Sequence, residues 1–405
     1  MRDIVYGAWS TAPGFETGTH QGTAVHDGAV VIGETAGQRA YADPHADGPA
    51  VTYECAAWIS PEVAPGFAVT ELIPSWNAAT PHGTWVEIEI RASEHKGSMS
   101  RWYVLGRWAE TDADIHPTTL RGQDDAFACV ETDILTIRPP GTIASYQVRV
   151  SLMRRPGSTD TPRVRLVGMM ASNVPSGPGA DVSPAGAARG TALDVPAYSQ
   201  QVHRGEYPQW DNGGASWCSP TSTSMVLAYW GAGPEPDEYA WVDPAYQDRW
   251  VDYAARHVFD HEYGGAGNWA FNTAYAARYG LTAYVTRLRS LTEAEAFIAA
   301  GIPLIVAVSF KKDALEGAGY DTQGHLLTII GFDESGNVIS NDPASHTVAS
   351  NDEVRTTYDR LQFENAWLGS AGGVTYLIHP PGYPLPEPSP TQPNWPPTCQ
   401  NLTGL

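Results

Sequence analysis

Apolar and polar residues alternate along several short segments in the first half of the chain, which is the pattern of half-buried β-strands. Turn residues separate these segments at short intervals, and no helical period of useful length precedes residue 190. The alternating segments are residues 84–91, 102–108, 145–152 and 163–168. The pattern predicts an all-β domain over residues 1–174, built as an antiparallel sandwich or jelly roll.

The second half carries both helical and strand patterns. Helices are predicted over residues 221–230, 251–259 and 268–279. A further helix opens at Leu291, where Thr292 and Glu295 fit a capping box. Apolar runs bounded by turns predict strands over residues 302–310, 326–332, 338–341 and 374–379. Helices followed by an antiparallel sheet predict an α+β domain.

Residues 172–190, between these halves, are rich in glycine, proline, serine and alanine, which is the composition of a linker. At 405 residues the chain is too long for one ordinary domain. We therefore expect a linker over residues 175–190 and a second domain over residues 191–380. The proline-rich tail, residues 381–405, is expected to be ordered only where it packs on something.

The chain is strongly acidic, with a formal net charge of −21 and an isoelectric point of about 4.8. This charge argues against binding to nucleic acid or to anionic membrane surfaces, because both need clustered Lys and Arg. No stretch is long and apolar enough to span a bilayer. The first residues lack the pattern of a signal peptide, so the protein is cytoplasmic, or secreted or cell-wall associated after losing a signal.

The cysteines of the chain are Cys55, Cys129, Cys218 and Cys399. None forms a C-x-x-C pair, so a structural zinc site is not expected, and we expect no cofactor and no metal. Cys55 and Cys129 form either a disulfide or two separate buried thiols. Cys399 lies in the proline-rich tail, where we assign it no role.

Cys218 stands just before a predicted helix start. Ser219 suits the N-cap position, and Pro220 suits the first helical turn. The positive end of a helix favours the thiolate, which is the nucleophilic form of cysteine. A cysteine at a helix start is also an ordinary core residue, so Cys218 by itself does not predict an enzyme.

His325 begins a strongly apolar strand, and a turn after that strand leads to a partner strand. If Phe332 pairs with Asn337, the imidazole gains an acidic neighbour. Asp342 then lies diagonally from His325 on the same face, within reach of a hydrogen bond. A one-residue change of register moves Asp342 to the other face and makes Asn341 the orienting candidate. The alternative is a strand-edge histidine near an aspartate that caps a turn.

Gln200, upstream of Cys218, carries a side-chain amide of the kind that stabilises an oxyanion in acyl transfer. The pieces Val-Pro-x-x-Ser-Gln, Cys-x-Pro-x-Ser, Gly-His and Asn-Asp-Pro together resemble the C39-like branch of papain-fold cysteine peptidases. The resemblance covers residues 193–380. The whole chain is also similar to actinobacterial peptidase C39 family proteins that carry a β-rich region in front.

This resemblance implies a papain-like fold and a cysteine peptidase that cleaves peptide or isopeptide bonds in a peptide or protein substrate. The matched residues are Gln200 for the oxyanion, Cys218 as nucleophile, His325 as base and Asp342 as its orienting partner. The family usually has Cys-Gly-Pro where this chain has Cys-Ser-Pro, so the Ser219 side chain is expected to narrow the groove. The sequence shows no ATP-binding or membrane region after this domain, so we do not expect the bacteriocin-exporter form of the family.

Several aromatic and polar residues are candidates for substrate contact, with ordinary packing as the alternative for each. In the second domain these candidates are Trp217, Ser219, Trp269 and Asn272. In the first domain Trp58, Trp76, Trp85, Trp102 and Trp108 either form the core or bind a cell-wall polymer, and the general burial of tryptophan favours the core.

Two other classes of function stay open besides the peptidase. One is another thiol acyl-transfer enzyme on the same fold, such as an amidase, a transpeptidase or a transglutaminase-like enzyme. The other is a non-catalytic protein that binds peptide or cell-wall polymer. The presence of nucleophile, base, orienting residue and oxyanion donor disfavours this last class.

Overall fold

The computed structural model describes residues 2–94, 98–175 and 182–397, which group into two compact units. The first unit contains the described parts of Asp3–Asn173, Asp260–Gly264 and the chain from Ser389 onward. The second unit contains the described parts of Met1–Arg2, Val174–Phe259 and Gly265–Pro388.

The first unit is mostly β-sheet. Its strands are β1 (Asp3–Trp9), β2 (Thr19–Gln21), β3 (Thr23–His26), β4 (Ala29–Ile32), β5 (Gly37–Tyr41), β6 (Val51–Ile59), β7 (Glu71–Ala79), β8 (Thr84–Ser93), β9 (Tyr103–Trp108), β10 (Ala128–Glu131), β11 (Ile134–Ile137), β12 (Ser145–Arg154) and β13 (Arg163–Asn173), with one short helix, α1 (Ala12–Glu16). One sheet has the order β10-β11-β7-β13-β4-β3, with β1 also paired to β13. The other has the order β2-β6-β12-β8-β9, with β5 also paired to β6.

Large aromatic side chains from both sheets meet in the core of this unit. The rings of Trp9 and Trp58 lie 5.4 Å apart, and those of Trp76 and Trp108 lie 6.4 Å apart. Trp58, Trp76, Trp85 and Trp108 are buried, as expected for core residues. Trp102 is half-buried, and the guanidinium groups of Arg91 and Arg149 lie over its ring at 4.6 and 4.5 Å.

Strand β8 departs from the half-buried strand that its alternating pattern predicts. Its polar positions Glu87 and Glu89 are buried along with its apolar ones. Arg39 and Arg107 bind Glu87, and Arg149 binds Glu89, so arginines from β5, β9 and β12 cover these carboxylates. The carboxylates of Glu87 and Glu89 are therefore paired with arginine side chains where the predicted pattern would have them face water.

The cysteines of the first unit are separate thiols. Cys55 lies in β6 and Cys129 in β10, which belong to different sheets, and both are free. The disulfide alternative is therefore wrong, and the two-thiol alternative holds. Cys399 lies outside the described residues.

The second unit contains an antiparallel sheet of seven strands and a small number of helices. Its strands are β14 (Thr191–Ala192), β15 (Thr282–Arg287), β16 (Leu304–Phe310), β17 (Thr322–Phe332), β18 (Val338–Asn341), β19 (Arg355–Tyr358) and β20 (Val374–His379). Its helices are α2 (Cys218–Tyr229), α3 (Trp250–His257), α4 (Trp269–Ala277), α5 (Leu291–Ala299) and α6 (Arg360–Ala371). The sheet order is β15-β20-β16-β17-β18-β19, with β14 also paired to β17.

One predicted detail of this unit is wrong, and several of its elements were not predicted. Helix α5 is not capped by a Thr292–Glu295 box, because the Ser290 side chain accepts the backbone N–H of Glu293 instead. Glu295 is buried and pairs with Arg360 at 2.8 Å. The sequence pattern also missed β15, β19 and α6, which the structure adds to the predicted elements.

The segments expected to be a linker and a tail make specific contacts where they are described. The Arg360 side chain donates to the carbonyls of Ser183 and Pro184, so this part of the expected linker packs within the second unit. In the tail, Trp395 is buried, and the carbonyl of Pro393 accepts the backbone N–H of Tyr6 within the first unit. Residues 176–181 and 398–405 lie outside the described part.

Among the described residues, no helix has both the length and the apolar character needed to cross a membrane.

Candidate active site

The sulfur of Cys218 sits at the first residue of α2. The helix begins two positions earlier than a Ser219 N-cap requires, so that predicted detail is wrong. Trp217 is the N-cap residue instead, and its carbonyl accepts both the backbone N–H and the hydroxyl of Thr221. The first N–H groups of a helix have no partner within the helix, and they give its start a partial positive charge. Cys218 therefore stands at the positive end of α2.

The hairpin of β17 and β18 brings Asp342 to the face of the sheet that carries His325. Its register differs from the prediction at the turn, where Phe332 pairs with Val338. An irregularity between Ile329 and Gly331 then absorbs one residue, so that Thr328 pairs with Asn341. Beyond this β-bulge the register is the one that a Phe332–Asn337 pair would give.

Asp342 is fully buried, and both of its carboxylate oxygens accept hydrogen bonds. Oδ1 lies 2.8 Å from Nε2 of His325 and accepts the backbone N–H of Ala344 at 2.9 Å. Oδ2 accepts the hydroxyls of Tyr320 and Tyr358 at 2.8 and 2.6 Å. Burial opposes the carboxylate charge, but the imidazole and the two hydroxyls outweigh it and lower the pKa of Asp342 below its usual range.

The alternative orienting residue, Asn341, is engaged elsewhere. Its side-chain amide donates to the carbonyls of Val195 and Pro196 at 3.2 and 3.1 Å. Asn341 therefore ties β18 to the segment that leads toward Gln200, and the structure pairs the His325 imidazole with Asp342 instead.

The His325 imidazole is buried in β17, and the ring of Tyr320 meets it edge-on with 5.5 Å between centroids. Burial disfavours a charged imidazole. The Asp342 carboxylate and the Cys218 side chain, which acts on the imidazole as a charge and as a hydrogen-bond partner, outweigh that burial and raise the pKa of His325 to about 10. Because Nε2 faces Asp342, the other ring nitrogen, Nδ1, is left for the sulfur.

Gln200 opens the 3₁₀ helix Gln200–His203, which the Ser199 side chain caps. Its backbone N–H donates to the carbonyl of Pro343 at 3.0 Å, next to Asp342. Its side-chain Nε2 donates to the carbonyl of Ala215 at 2.8 Å, in the segment that leads into Cys218. Oε1 is buried and has no hydrogen-bond partner. Gln200 thus contacts both the segment that leads into Cys218 and the segment that holds Asp342.

The predicted substrate-contact residues are mostly interior. Trp217, Ser219 and Asn272 have no exposed surface, and Trp269 is half-buried. The Trp217 indole donates to the carbonyl of Trp210, and the Ser219 hydroxyl pairs with that of Tyr376 at 3.0 Å. The burial of these three side chains argues against direct contact with a substrate.

The sequence did not single out Tyr320 and Tyr358, which hold Asp342, and it did not connect His203 with Glu206 and Asp252. In the described ranges, the last three form the group of His and acidic side chains that could hold a metal ion. The ring of His203 lies 5.9 Å from that of Trp217, the residue before Cys218.

Comparisons with known proteins cover both units. Residues 5–172 match the sequence model of the actinobacterial Peptidase C39 N-terminal domain, and residues 192–374 match that of the Peptidase C39 like family. No curated protein matches the chain. Among solved structures, the chain is similar to a protein described as a C39-like peptidase from Bacillus anthracis, with 17% identity over 46% of this chain and 96% of that one, and a TM-score of 0.29.

Proposed function

We propose, for a chain that belongs across its two matched regions to the C39-like peptidases, that its second unit is a cysteine peptidase that hydrolyses peptide or isopeptide bonds. The observation that carries the proposal is the buried Asp342–His325 pair, whose imidazole interacts with the Cys218 side chain at a helix start. Nucleophile, base and orienting carboxylate are the parts that thiol acyl transfer needs.

The first half of the reaction is acylation of Cys218. The thiolate attacks the carbonyl carbon of the scissile bond and forms a carbon–sulfur bond, while the carbonyl oxygen becomes an oxyanion. The His325 imidazolium gives its Nδ1 proton to the leaving nitrogen as the carbon–nitrogen bond breaks. Asp342 holds the ring through Nε2, so the transferring nitrogen keeps its orientation.

The second half returns the enzyme to its starting state. Neutral His325 takes a proton from water, which attacks the thioester and releases the carboxylic acid product and the thiolate. In both halves the oxyanion is stabilised by the backbone N–H of Cys218 and by the Gln200 amide. One hydrogen of that amide is used by Ala215, which leaves the other for the oxyanion.

We also propose an architecture for each unit. We propose a β-sandwich for the first unit, since tryptophans from its two sheets meet in one core. We propose a papain-like arrangement for the second unit, in which a helix carries the nucleophile, an antiparallel sheet carries the base, and the orienting carboxylate follows directly after β18. The first unit is then an accessory domain, and its buried tryptophans give no direct support to polymer binding.

The test is turnover of a peptide-substrate library by wild-type protein and by Cys218→Ala. We expect the substitution to abolish hydrolysis, with a loss of at least about 10³-fold, because no other group supplies the nucleophile. Iodoacetamide should alkylate Cys218 selectively near neutral pH, because the imidazolium stabilises the thiolate.

Cys55→Ala is the matched control, because it removes a thiol of the first unit by the same substitution. It should leave hydrolysis at the wild-type rate. Hydrolysis that survives in Cys218→Ala, or that is lost equally in both variants, contradicts the assignment. Product analysis with added amine acceptors separates hydrolysis from acyl transfer.

A further inference from the structure

A buried cluster in the second unit has ligand chemistry that the proposed reaction does not use. It consists of His203 at the end of a 3₁₀ helix, Glu206 three residues later, and Asp252 in the first turn of α3. Nδ1 of His203 lies 2.7 Å from Oε2 of Glu206 and 3.3 Å from Oδ2 of Asp252. One nitrogen and two carboxylate groups thus converge on one point.

The charges of this cluster do not balance among its own side chains. His203 and Asp252 have no exposed surface, and neither carboxylate oxygen of Asp252 accepts a hydrogen bond. The ion pairs of residues 2–94, 98–175 and 182–397 give neither Glu206 nor Asp252 a Lys or Arg partner. A buried carboxylate without a hydrogen bond is costly. A divalent cation beside a neutral imidazole would neutralise both carboxylates.

We propose that His203, Glu206 and Asp252 form a binding site for a divalent transition-metal ion of the zinc class. Imidazole nitrogen with carboxylate oxygen suits zinc better than calcium or magnesium, which prefer oxygen alone. In tetrahedral zinc sites with bonds of about 2.0–2.1 Å, neighbouring ligand atoms lie about 3.3 Å apart. The His203–Asp252 separation has this value, and the partly exposed Glu206 side chain has to move by only about 0.6 Å to match it.

The site lies beside residues of the proposed catalytic group, although zinc binding itself does not depend on that proposal. His203 closes the 3₁₀ helix that Gln200 opens, and its ring packs on Trp217. A bound ion would join this helix to α3 and hold Gln200 and the approach to Cys218 in place. Its role is positioning, because no ligand touches the reacting atoms.

The test measures zinc uptake by the full-length protein in a Cys218→Ala background, which prevents zinc from binding at the thiolate. The protein is stripped with a chelator, dialysed against buffered Zn²⁺, and analysed for bound metal. We expect the protein to bind one equivalent of zinc. The further substitution Asp252→Asn should lower the affinity for that zinc at least about tenfold. Asp237→Asn is the matched control, since it makes the same change at an exposed position of the same unit and should leave uptake unchanged.

Two further measurements keep the proposal falsifiable if Asp252→Asn does not fold. Glu206→Gln alters a partly exposed ligand and should also weaken zinc binding at least about tenfold. Co²⁺ in place of zinc should give visible absorption bands of a four-coordinate nitrogen and oxygen site. Equal uptake in the Cys218→Ala protein and its Glu206→Gln derivative, or the absence of those bands, would overturn the proposal and leave the imidazolium as the partner of both carboxylates.

Discussion

Glu87 in the first unit and Asp342 in the second are both buried carboxylates, and different chemistry offsets their charges. In the first unit Glu87 is held by the guanidinium groups of Arg39 and Arg107. In the second unit Asp342 is held by the His325 imidazole and by two tyrosine hydroxyls. Burial acts against both carboxylates, and their partners lower the pKa of each in spite of it.

The difference lies in whether the partner is able to release a proton. Arginine stays protonated in proteins, so the Glu87 pairs join strands without exchanging a proton. Imidazole gains and loses a proton in an accessible pH range, so the charge beside Asp342 is able to change during a reaction. The same buried anion therefore serves architecture in one unit and, by our proposal, catalysis in the other.

Among the substitutions at these two carboxylates and their partners, Asp342→Asn should have the largest effect on turnover. The amide has no charge to offset the imidazolium, so we expect a fall in kcat/KM of at least about 10²-fold. Steady-state kinetics on the best library substrate measures it. Glu87→Gln is the matched carboxylate-to-amide control; a similar fall in both variants would remove the distinction between the two sites.

Tyr358→Phe should have a smaller effect, a loss of about 3- to 10-fold in kcat/KM, because Asp342 keeps its other partners. The pKa of Asp342 lies below its ordinary value of 3.8, so its stabilising contribution is present above that pH and is lost as pH falls through the folded-state pKa. Losing the Tyr358 donor raises that pKa. Acid unfolding, followed by circular dichroism, should therefore begin at a higher pH than in wild type.

Tyr320→Phe is the matched variant for that experiment, since it removes the other hydroxyl on the same carboxylate oxygen. It should move the acid transition in the same direction. Transitions that stay at the wild-type pH in both variants would mean that the hydroxyls do not stabilise the Asp342 charge.

The pKa of His325, measured by NMR titration, should respond to the removal of the Cys218 sulfur. Its pKa of about 10 is raised in part by Cys218, so Cys218→Ala should lower it. Because the folded-state pKa exceeds the ordinary 6.5, the stabilisation is full below pH 6.5 and is lost as pH rises toward 10. An unchanged His325 pKa in Cys218→Ala would contradict the pairing of sulfur and imidazole.

Glu87→Gln should leave turnover unchanged and affect only stability. It weakens charge-assisted hydrogen bonds to Arg39 and Arg107, at a cost of about 1–3 kcal/mol in the free energy of unfolding. Urea denaturation gives that cost, and kinetics on the same sample gives turnover. A large loss of turnover in folded Glu87→Gln would show that the first unit acts in the reaction.

Many elements of the fold could be predicted from local sequence patterns. Strands β18 and β20 have the predicted bounds, because each is an apolar run closed by turn residues. The β-bulge in β17 was not predictable, since it depends on how β17 pairs rather than on its own residues. Helix α6 lacked a clear apolar period, although Asp359, which accepts the backbone N–H of Gln362, is a recognisable N-cap signal.

Some residues of the candidate site were predictable from the sequence, and others were not. Gln200, Cys218, His325 and Asp342 stood out because each lies in a short motif with its own chemistry. Tyr320 and Tyr358 had no such motif, and only the tertiary fold brings them to Asp342. The N-cap at Ser219 failed because a favourable capping residue does not require the helix to begin there; it begins at Cys218.

The carbonyl of Pro343 accepts the backbone N–H of Gln200, and the residue before it is Asp342. Asp342 and Gln200, by our proposal the orienting carboxylate and the oxyanion donor, are thus tethered to one peptide segment, and a displacement of either is carried to the other. Such mechanical coupling resists thermal distortion but prevents one arm from being retuned alone. If the chain is the peptidase that we propose, we expect changes in its substrate range to arise in loops outside this segment.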